Sequence, residues 1–322
     1  MRAGFDTSPL EQTRAGTARH VLGLLGELEG RPGLDVHRLR SRGRGKLATV
    51  RRDAVWYPLA LGNASRSFDV LHCSTFRAPL RPRCPLVVTV HDLALERLPA
   101  VFPRWHRETG RRALRSAVRV ADAVVAVSAF TRDELVELLA VPPERITIVP
   151  NGIEPVFSPE GPRAEGDYVL AVGTLEPRKN LAVALQAAEL AGVELRVVGA
   201  TGWGGVEVPG WVGEASDPEL AALYRGARCL VFPSLYEGFG IPVLEAMACG
   251  TPVVTSDAGG TAEVAGTAAV LVDPLHPEAV AAGIAEAERD RDQLVERGLE
   301  RAASFTWKAS ADLVEALWRE LA

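Results

Sequence analysis

Short apolar runs alternate with amphipathic stretches along the chain, and the alternation breaks off once and then restarts. In the first half, Val87-Val88-Thr89-Val90 and Ala123-Val124-Val125-Ala126-Val127 are runs rich in β-branched residues, bounded by polar ones. Each is followed by a helical pattern, the second over 132–139, and Ile146-Thr147-Ile148-Val149 is the last strand-like run before the break. Continuous apolar strands alternating with helices predict a parallel sheet covered on both faces. The segment from Pro150 to Pro159 is dense in turn formers and reads as a connection between domains. The pattern resumes with strand candidates over 168–172, 195–198, 229–232, 252–255 and 269–272, most of them separated by helical stretches such as 181–191, 218–225 and 242–248. The tail over 311–321 has the spacing of an amphipathic helix.

The expected architecture is therefore α/β. Two doubly wound, Rossmann-like domains span 1–158 and 159–305, and a C-terminal helix over 306–322 packs back on the first. Two such domains facing each other would leave a cleft lined by the carboxyl ends of both sheets, where open α/β sheets bind ligands. A Gly-x-Gly-x-x-Gly fingerprint with an acid about 20 residues further on does not follow the first strand, which argues against a dehydrogenase.

Composition adds limits. At 322 residues the chain exceeds what one hydrophobic core usually supports, in agreement with two domains. No run approaches the roughly 20 apolar residues of a bilayer span, and the first residues lack the apolar region of a secretory signal. Cys73, Cys84, Cys229 and Cys249 lie far apart without a Cys-x-x-Cys pair. A zinc or disulfide framework is thus not expected, and a reducing cytoplasm is. The net charge of −5 hides an asymmetry: residues 1–158 carry +8 and the remainder −13. Anionic membrane lipid is one candidate partner for the basic half.

The densest chemical signal runs from Pro233 to Pro252. A strand ends at Phe232, a loop with Gly238 and Gly240 follows, and a helix begins at Ile241-Pro242, where proline suits the first turn. The glycines let backbone approach a ligand closely, and the helix N-terminus offers free N–H groups to phosphate. Glu237 precedes that helix and Glu245 lies in its first turns, so one can touch a sugar while the other reaches a ribose hydroxyl. A second loop, Gly173-Thr174-Leu175-Glu176-Pro177-Arg178-Lys179-Asn180, places adjacent cations where a diphosphate leaving group would gather charge.

In the first half, His91-Asp92 closes a strand and points toward the expected ligand side, whereas His72 is a weaker candidate that fits packing equally well. The segment Arg14-Ala15-Gly16-Thr17-Ala18-Arg19 lies between the first strand and a helix. Ser128 is suited to cap a helix. Arg104, Arg107, Arg111, Arg115 and Arg119 recur three or four apart, giving one positive helical face, and 38–52 adds a second basic run. These fit either a solvated surface or docking to anionic lipid or a lipid-diphosphate acceptor. Nucleic acid is not expected, because the basic runs lack interleaved aromatics.

The string from Pro233 to Pro252 closely resembles the Glu-x7-Glu signature of retaining GT-B glycosyltransferases of family four, and the resemblance extends from Asp6 to about Trp307. It implies a GT-B fold and transfer of a hexose of mannose or glucose type from a nucleoside diphosphate sugar to a hydroxyl, with retention. GDP-mannose is the first expected donor and UDP-hexose the second. The acceptor would be a glycan, a lipid-linked or a small molecule. Glu237 would contact the transferred sugar and Glu245 the donor ribose. The amides of Gly238, Phe239 and Gly240 would meet the diphosphate, with Gly173 and Leu244 also at the donor.

By the same resemblance Arg178 and Lys179 form the diphosphate clamp. Many relatives carry an arginine directly after the glycine where this chain has Thr174, so here the clamp rests on Arg178 and Lys179 together. Gly16 matches the family's glycine loop, Ser128 its helix start after a strand, and His91 a histidine near the reacting anomeric carbon. Relatives that act on membrane-bound acceptors use the first domain for docking, which assigns Arg104, Arg107, Arg111 and Arg115 to an acceptor or membrane face. The protein would work in the cytoplasm or at the inner face of the plasma membrane, with no metal or other cofactor. Alternatives are a nucleotide-sugar 2-epimerase of the same fold and a non-catalytic partner of another transferase. A glycan phosphorylase would need a lysine for pyridoxal phosphate and a much longer chain.

Overall fold

The structure, a computed structural model, describes residues 1–11, 16–43 and 45–322. The chain divides into two compact units, Met1–Gly152 with Trp307–Ala322, and Ile153–Thr306. The first unit therefore ends nearer than the turn-rich segment suggests, at Gly152 rather than 158. The reason is local packing: the ring of Phe157 stands 6.0 Å from that of Tyr224, and Arg225 donates to the Ser158 carbonyl at 3.0 Å. Those contacts tie 153–158 to the second unit.

The first unit holds a parallel sheet of β1 (Arg2–Asp6), β2 (Asp35–Leu39), β3 (Val70–Cys73), β4 (Leu86–Val90), β5 (Ala123–Ala126) and β6 (Ile146–Ile148). Their order is β2-β1-β3-β4-β5-β6. Successive side chains serve opposite faces. Val87 and Val125 join Phe5, Leu24 and Trp318 on one side, while Val88, Val90, Val124 and Ala126 join Leu114 and Leu135 on the other. Both faces are dry, which is why these strands read as continuous apolar runs.

The C-terminal helix Trp307–Leu321 belongs to this unit. It lies against the helix Gly16–Leu28 so closely that a Cβ on Gly23 would fall 2.2 Å from the indole of Trp307. Trp318 is fully buried there, and truncating such a side chain costs about 3–5 kcal/mol.

The second unit holds β7 (Tyr168–Val172), β8 (Glu194–Val198), β9 (Trp211–Gly213), β10 (Leu230–Phe232), β11 (Val253–Ser256) and β12 (Val270–Val272). Their parallel order is β12-β11-β10-β7-β8-β9. Val169, Ala171, Val197, Val231 and Val254 share one core with Leu181, Ala184 and Ile284.

β2 and β9 are among the strands that escaped the reading of apolar runs. β2 is Asp-Val-His-Arg-Leu with no fully buried position, and β9 is three mostly exposed residues at a sheet edge. The stretch Arg52–Ala60 also went unread: it is a π-helix with Pro58 inside it.

Candidate active site

In the second sheet the strand order reverses between β7 and β10, and the loops leaving their carboxyl ends meet at that switch point, where such sheets bind ligands. The loops are stitched together through backbone. Leu235 N–H donates to the Arg178 carbonyl at 2.8 Å, and the Asn180 side chain donates to the carbonyls of Pro233 and Pro274 at 3.2 and 2.6 Å. Asn180 sits in the left-handed region at φ 56°, a conformation asparagine tolerates better than most residues.

This stitching sets Glu237 between two cations. Arg178 Nη1 donates to Glu237 Oε2 at 2.9 Å and Lys179 Nζ to Oε1 at 2.5 Å. Arg178 also donates to the Tyr236 carbonyl at 3.1 Å, and its Nε lies 2.7 Å from Glu176 Oε1. Burial alone would raise the carboxyl pKa of Glu237, but the charges of Arg178 and Lys179 outweigh it and hold the value at about 2. Lys179 further lies 5.0 Å over the ring of Phe232. Gly173 makes room for that lysine: a Cβ there would stand 3.1 Å from Lys179 Cε.

Behind the loop, the helix Ile241–Ala248 starts after Gly240, at φ 109°, with Pro242 in its first turn. The segment at Gly260 backs the loop closely. Its N–H donates to the Glu237 carbonyl at 2.9 Å, and a Cβ on it would meet the Gly238 carbonyl at 2.3 Å. The side chains of Phe239 and Leu244 are buried. Glu245 is 2% exposed, and its Oε2 accepts from the Tyr224 hydroxyl at 2.9 Å. The carboxylate expected to reach a ribose is sheltered and accepts from Tyr224.

In the first unit His91 follows β4, and its Nε2–H donates to the Ser74 carbonyl at 2.9 Å. Burial lowers its pKa below the ordinary histidine value, so the ring is neutral. His72 is a packing residue. It is fully buried, its Nδ1 accepts from Trp318 at 3.1 Å, and its Nε2 lies 2.8 Å from Thr89 Oγ1. Ser128 caps the helix Ala129–Leu139, accepting from the Thr131 N–H at 2.9 Å. Gly16 opens the helix Gly16–Leu28, while Arg14 and Ala15 lie outside the described residues.

The positive helical face needs correction. On the helix Arg104–Val120, Arg111 and Arg115 both pair with the carboxylate of Glu96, and Arg107 lies 3.5 Å from Glu108. Glu96, brought in from the preceding helical turn, and Glu108 on the helix itself neutralise part of the stripe; the first of these is not shown by periodicity along one helix. Residues the sequence reading passed over are Glu176, legible as an acid two positions before Arg178, and Tyr224, which carries no local signal because its partner is 21 residues away.

Comparison with known proteins gives the family and the fold. The family model of group 1 glycosyl transferases matches residues 153–304, and that of glycosyltransferase family 4 matches 11–157. The O-antigen chain mannosyltransferase B of Escherichia coli is 33% identical over 254 residues, 69% of this chain and 67% of that protein. Among solved structures, sucrose-phosphate synthase from Thermosynechococcus elongatus superposes with a TM-score of 0.80 at 20% identity, covering 100% of this chain and 99% of that one. Anabaena HepE in complex with UDP and glucose superposes with a TM-score of 0.75 at 19% identity, covering both chains fully. Fold and sequence together define a glycosyltransferase of GT-B architecture. The chain belongs to the group 1 glycosyl transferases.

No helix among the described residues is long and apolar enough to cross a membrane.

Proposed function

We propose that the second unit binds a nucleoside diphosphate hexose, GDP-mannose first and UDP-glucose second, and that the enzyme transfers the hexose to a hydroxyl with retention of configuration. The observation that carries this is Glu237 held between Arg178 and Lys179 at the sheet's switch point. The formal charges of Glu176, Glu237, Arg178 and Lys179 cancel. An arriving diphosphate competes with Glu237 for the two cations, and the released carboxylate is free to accept from sugar hydroxyls.

The backbone of Gly238, Phe239 and Gly240 adds N–H donors before the helix Ile241–Ala248. Glu245 receives a ribose hydroxyl beside Tyr224. As the glycosidic C–O bond breaks, charge builds on the diphosphate, and fixed cations aimed there lower the barrier. The acceptor attacks the same face of the sugar. The two side chains meet the leaving group's charge, so this mechanism calls for no resident metal. His91, neutral and fixed by Ser74, is the first unit's candidate for contact with the transferred sugar. HepE with UDP and glucose, and the mannosyltransferase of E. coli, support the donor classes.

The acceptor is a glycan, a lipid-linked or a small molecule. The exposed Arg104 and the excess of arginine over acid on the helix Arg104–Val120 support peripheral contact with anionic lipid. A thermal-shift and hydrolysis screen with GDP-, UDP-, dTDP- and ADP-hexoses tests the donor. Stabilisation and turnover with a GDP- or UDP-hexose, unaffected by chelator, are expected. No response to any of the four would sink the reading.

A further inference from the structure

Five of the protein's six histidines lie in the first unit, where His20, His72 and His91 gather, and one of these three is oddly placed. His20, on the helix Gly16–Leu28, is fully buried. Its Nδ1 lies 2.8 Å from Asn151 Oδ1, a carbonyl oxygen, so Nδ1 carries the proton and Nε2 keeps a lone pair. That Nε2 meets no hydrogen-bond partner among the described residues. The ring stands edge-on to His91, with centroids 4.7 Å apart and planes at 89°, and 6.2 Å from the Trp307 indole. Packing alone would favour a phenyl ring, which buries no polar nitrogen. An imidazole kept here has a task beyond filling space.

Its neighbours suggest the task. Asn151 lies at the end of the first unit's main segment, and Trp307 opens the segment that returns to it. The same turn is braced by Ser310, whose hydroxyl donates to the Pro150 carbonyl at 2.6 Å. His20 thus joins a braced, buried corner of the unit to His91, whose own Nε2–H is engaged by Ser74. We propose that His20 is a positioning residue for His91: Asn151 holds His20 in one tautomer, and the His20 ring fixes the orientation of His91 and keeps water off it. This rests on the reading in which His91 serves the transferred sugar.

The groups around His91 set the sign of the test. His20 faces it from the helix Gly16–Leu28, His72 and the Ser74 carbonyl from β3 and its following loop, and Asp92 from its own loop. Burial disfavours the imidazolium, while Ser74 and Asp92 favour it. Opening space at His20 relieves the burial and moves the His91 midpoint upward.

The experiment reads the nitrogen-15 signals of the His91 ring by NMR across pH, alongside kcat and KM with the sugar nucleotide. His20→Ala is expected to raise the His91 midpoint and move the acidic limb of kcat upward with it. It should lower kcat about ten-fold while KM changes less than about two-fold. His20→Asn, whose amide can donate to Asn151 from near the Nδ1 position, is expected to restore most of the loss. A folded His20→Ala protein with unmoved His91 signals, or one that only melts earlier with its acidic limb in place, overturns the proposal. Should His20→Ala not fold, Asn151→Ala reads the same signals: an upward shift supports the proposal and no shift overturns it. A wild-type enzyme inactive with every sugar nucleotide would sink the donor reading, whereas the NMR signals still decide the role of His20.

Discussion

The two sheets each have a switch point, and the two are built from opposite electrostatics. In the second unit, the loops after β7 and β10 bring together Glu176, Arg178, Lys179 and Glu237, all charged and mutually paired. In the first, order reverses between β1 and β3, and there Asp6 is fully buried, accepting from the Ser8 hydroxyl at 2.6 Å and the Tyr57 hydroxyl at 3.2 Å. Burial pushes the Asp6 carboxyl up to about 6, and the nearby histidines are neutral. One doubly wound topology carries two chemistries. The second pairs buried ions of opposite sign, and the first buries neutral histidines together with a carboxyl whose ionisation burial disfavours. Fold supplies the place, and the side chains on two loops supply the function.

The comparison breaks most sharply at Glu237. Glu237→Ala removes the carboxylate that Arg178 and Lys179 share, and with it the proposed contact to the sugar. We expect kcat/KM to fall at least about a hundred-fold, as when a positioned charged group is lost from an active site. Thermal unfolding should show destabilisation of up to about 3–5 kcal/mol, the cost of breaking a largely buried ion pair. An enzyme of unchanged activity would remove the second unit's site from the argument.

Acid should separate the two units next. The folded midpoint of His72 drops from 6.5 to about 3, so its contribution is intact above pH 6.5 and is lost as pH falls toward 3. His20 and His91 are lowered too and act with the same sign. Asp6, raised from 3.8 to about 6, acts oppositely: its contribution is full below pH 3.8 and is lost as pH rises through 6. Three groups against one leave a net loss on acidification, each proton being worth about 1.4 kcal/mol per pH unit in its window. Glu237 loses its contribution only from pH 4.5 downward, toward 2. Hydrogen exchange at pH 5 should therefore show the first unit opening while the second stays protected. The reverse order would mean that the buried histidines are not what sets the first unit's acid limit.

How much of this contrast was legible in the sequence follows the range of the interactions. The charged loops were readable because strand, glycine, cation pair and helix start all lie within 173–180 and 233–248. Most of the buried strands were readable because two dry faces leave continuous apolar runs. β2 and β9 were not, since edge strands with exposed positions carry no such run. Glu96 beneath Arg111 and Arg115, Tyr224 on Glu245, and Asn151 on His20 were unreadable for a common reason. Each partner is brought across 15 to 131 residues of chain by tertiary packing alone.

Gly173→Ala tests a smaller element, the space in which Lys179 lies. Gly173 has φ +150°, which side chains rarely adopt, and a Cβ would press on Lys179 Cε at 3.1 Å. The strain should cost about 1–3 kcal/mol in thermal unfolding. Displacing the ammonium from Glu237 should weaken donor binding about ten-fold in titration calorimetry, as loss of about 1.4 kcal/mol implies. Weaker folding with unchanged donor affinity would show that Lys179 finds its place without this glycine.

Tyr224→Phe gives the smallest expected effect, and it asks whether the charged switch point depends on neutral support. The hydroxyl donates to Glu245 Oε2 at 2.9 Å, and both groups are buried. The tyrosine itself is braced, since the Thr251 hydroxyl donates to its carbonyl at 2.6 Å and Phe157 stands edge-on to its ring. Phenylalanine keeps the ring and its packing, so the difference reports the hydrogen bond and costs about 1–3 kcal/mol if the carboxylate goes unsatisfied. If Glu245 holds the donor ribose, KM for the sugar nucleotide should rise several-fold while kcat stays within about two-fold, because ribose binding is equal in ground and transition states. A fall in kcat without a rise in KM would place Glu245 nearer the reacting bond than the ribose, and would make Tyr224 part of the machinery that Arg178 and Lys179 otherwise carry alone.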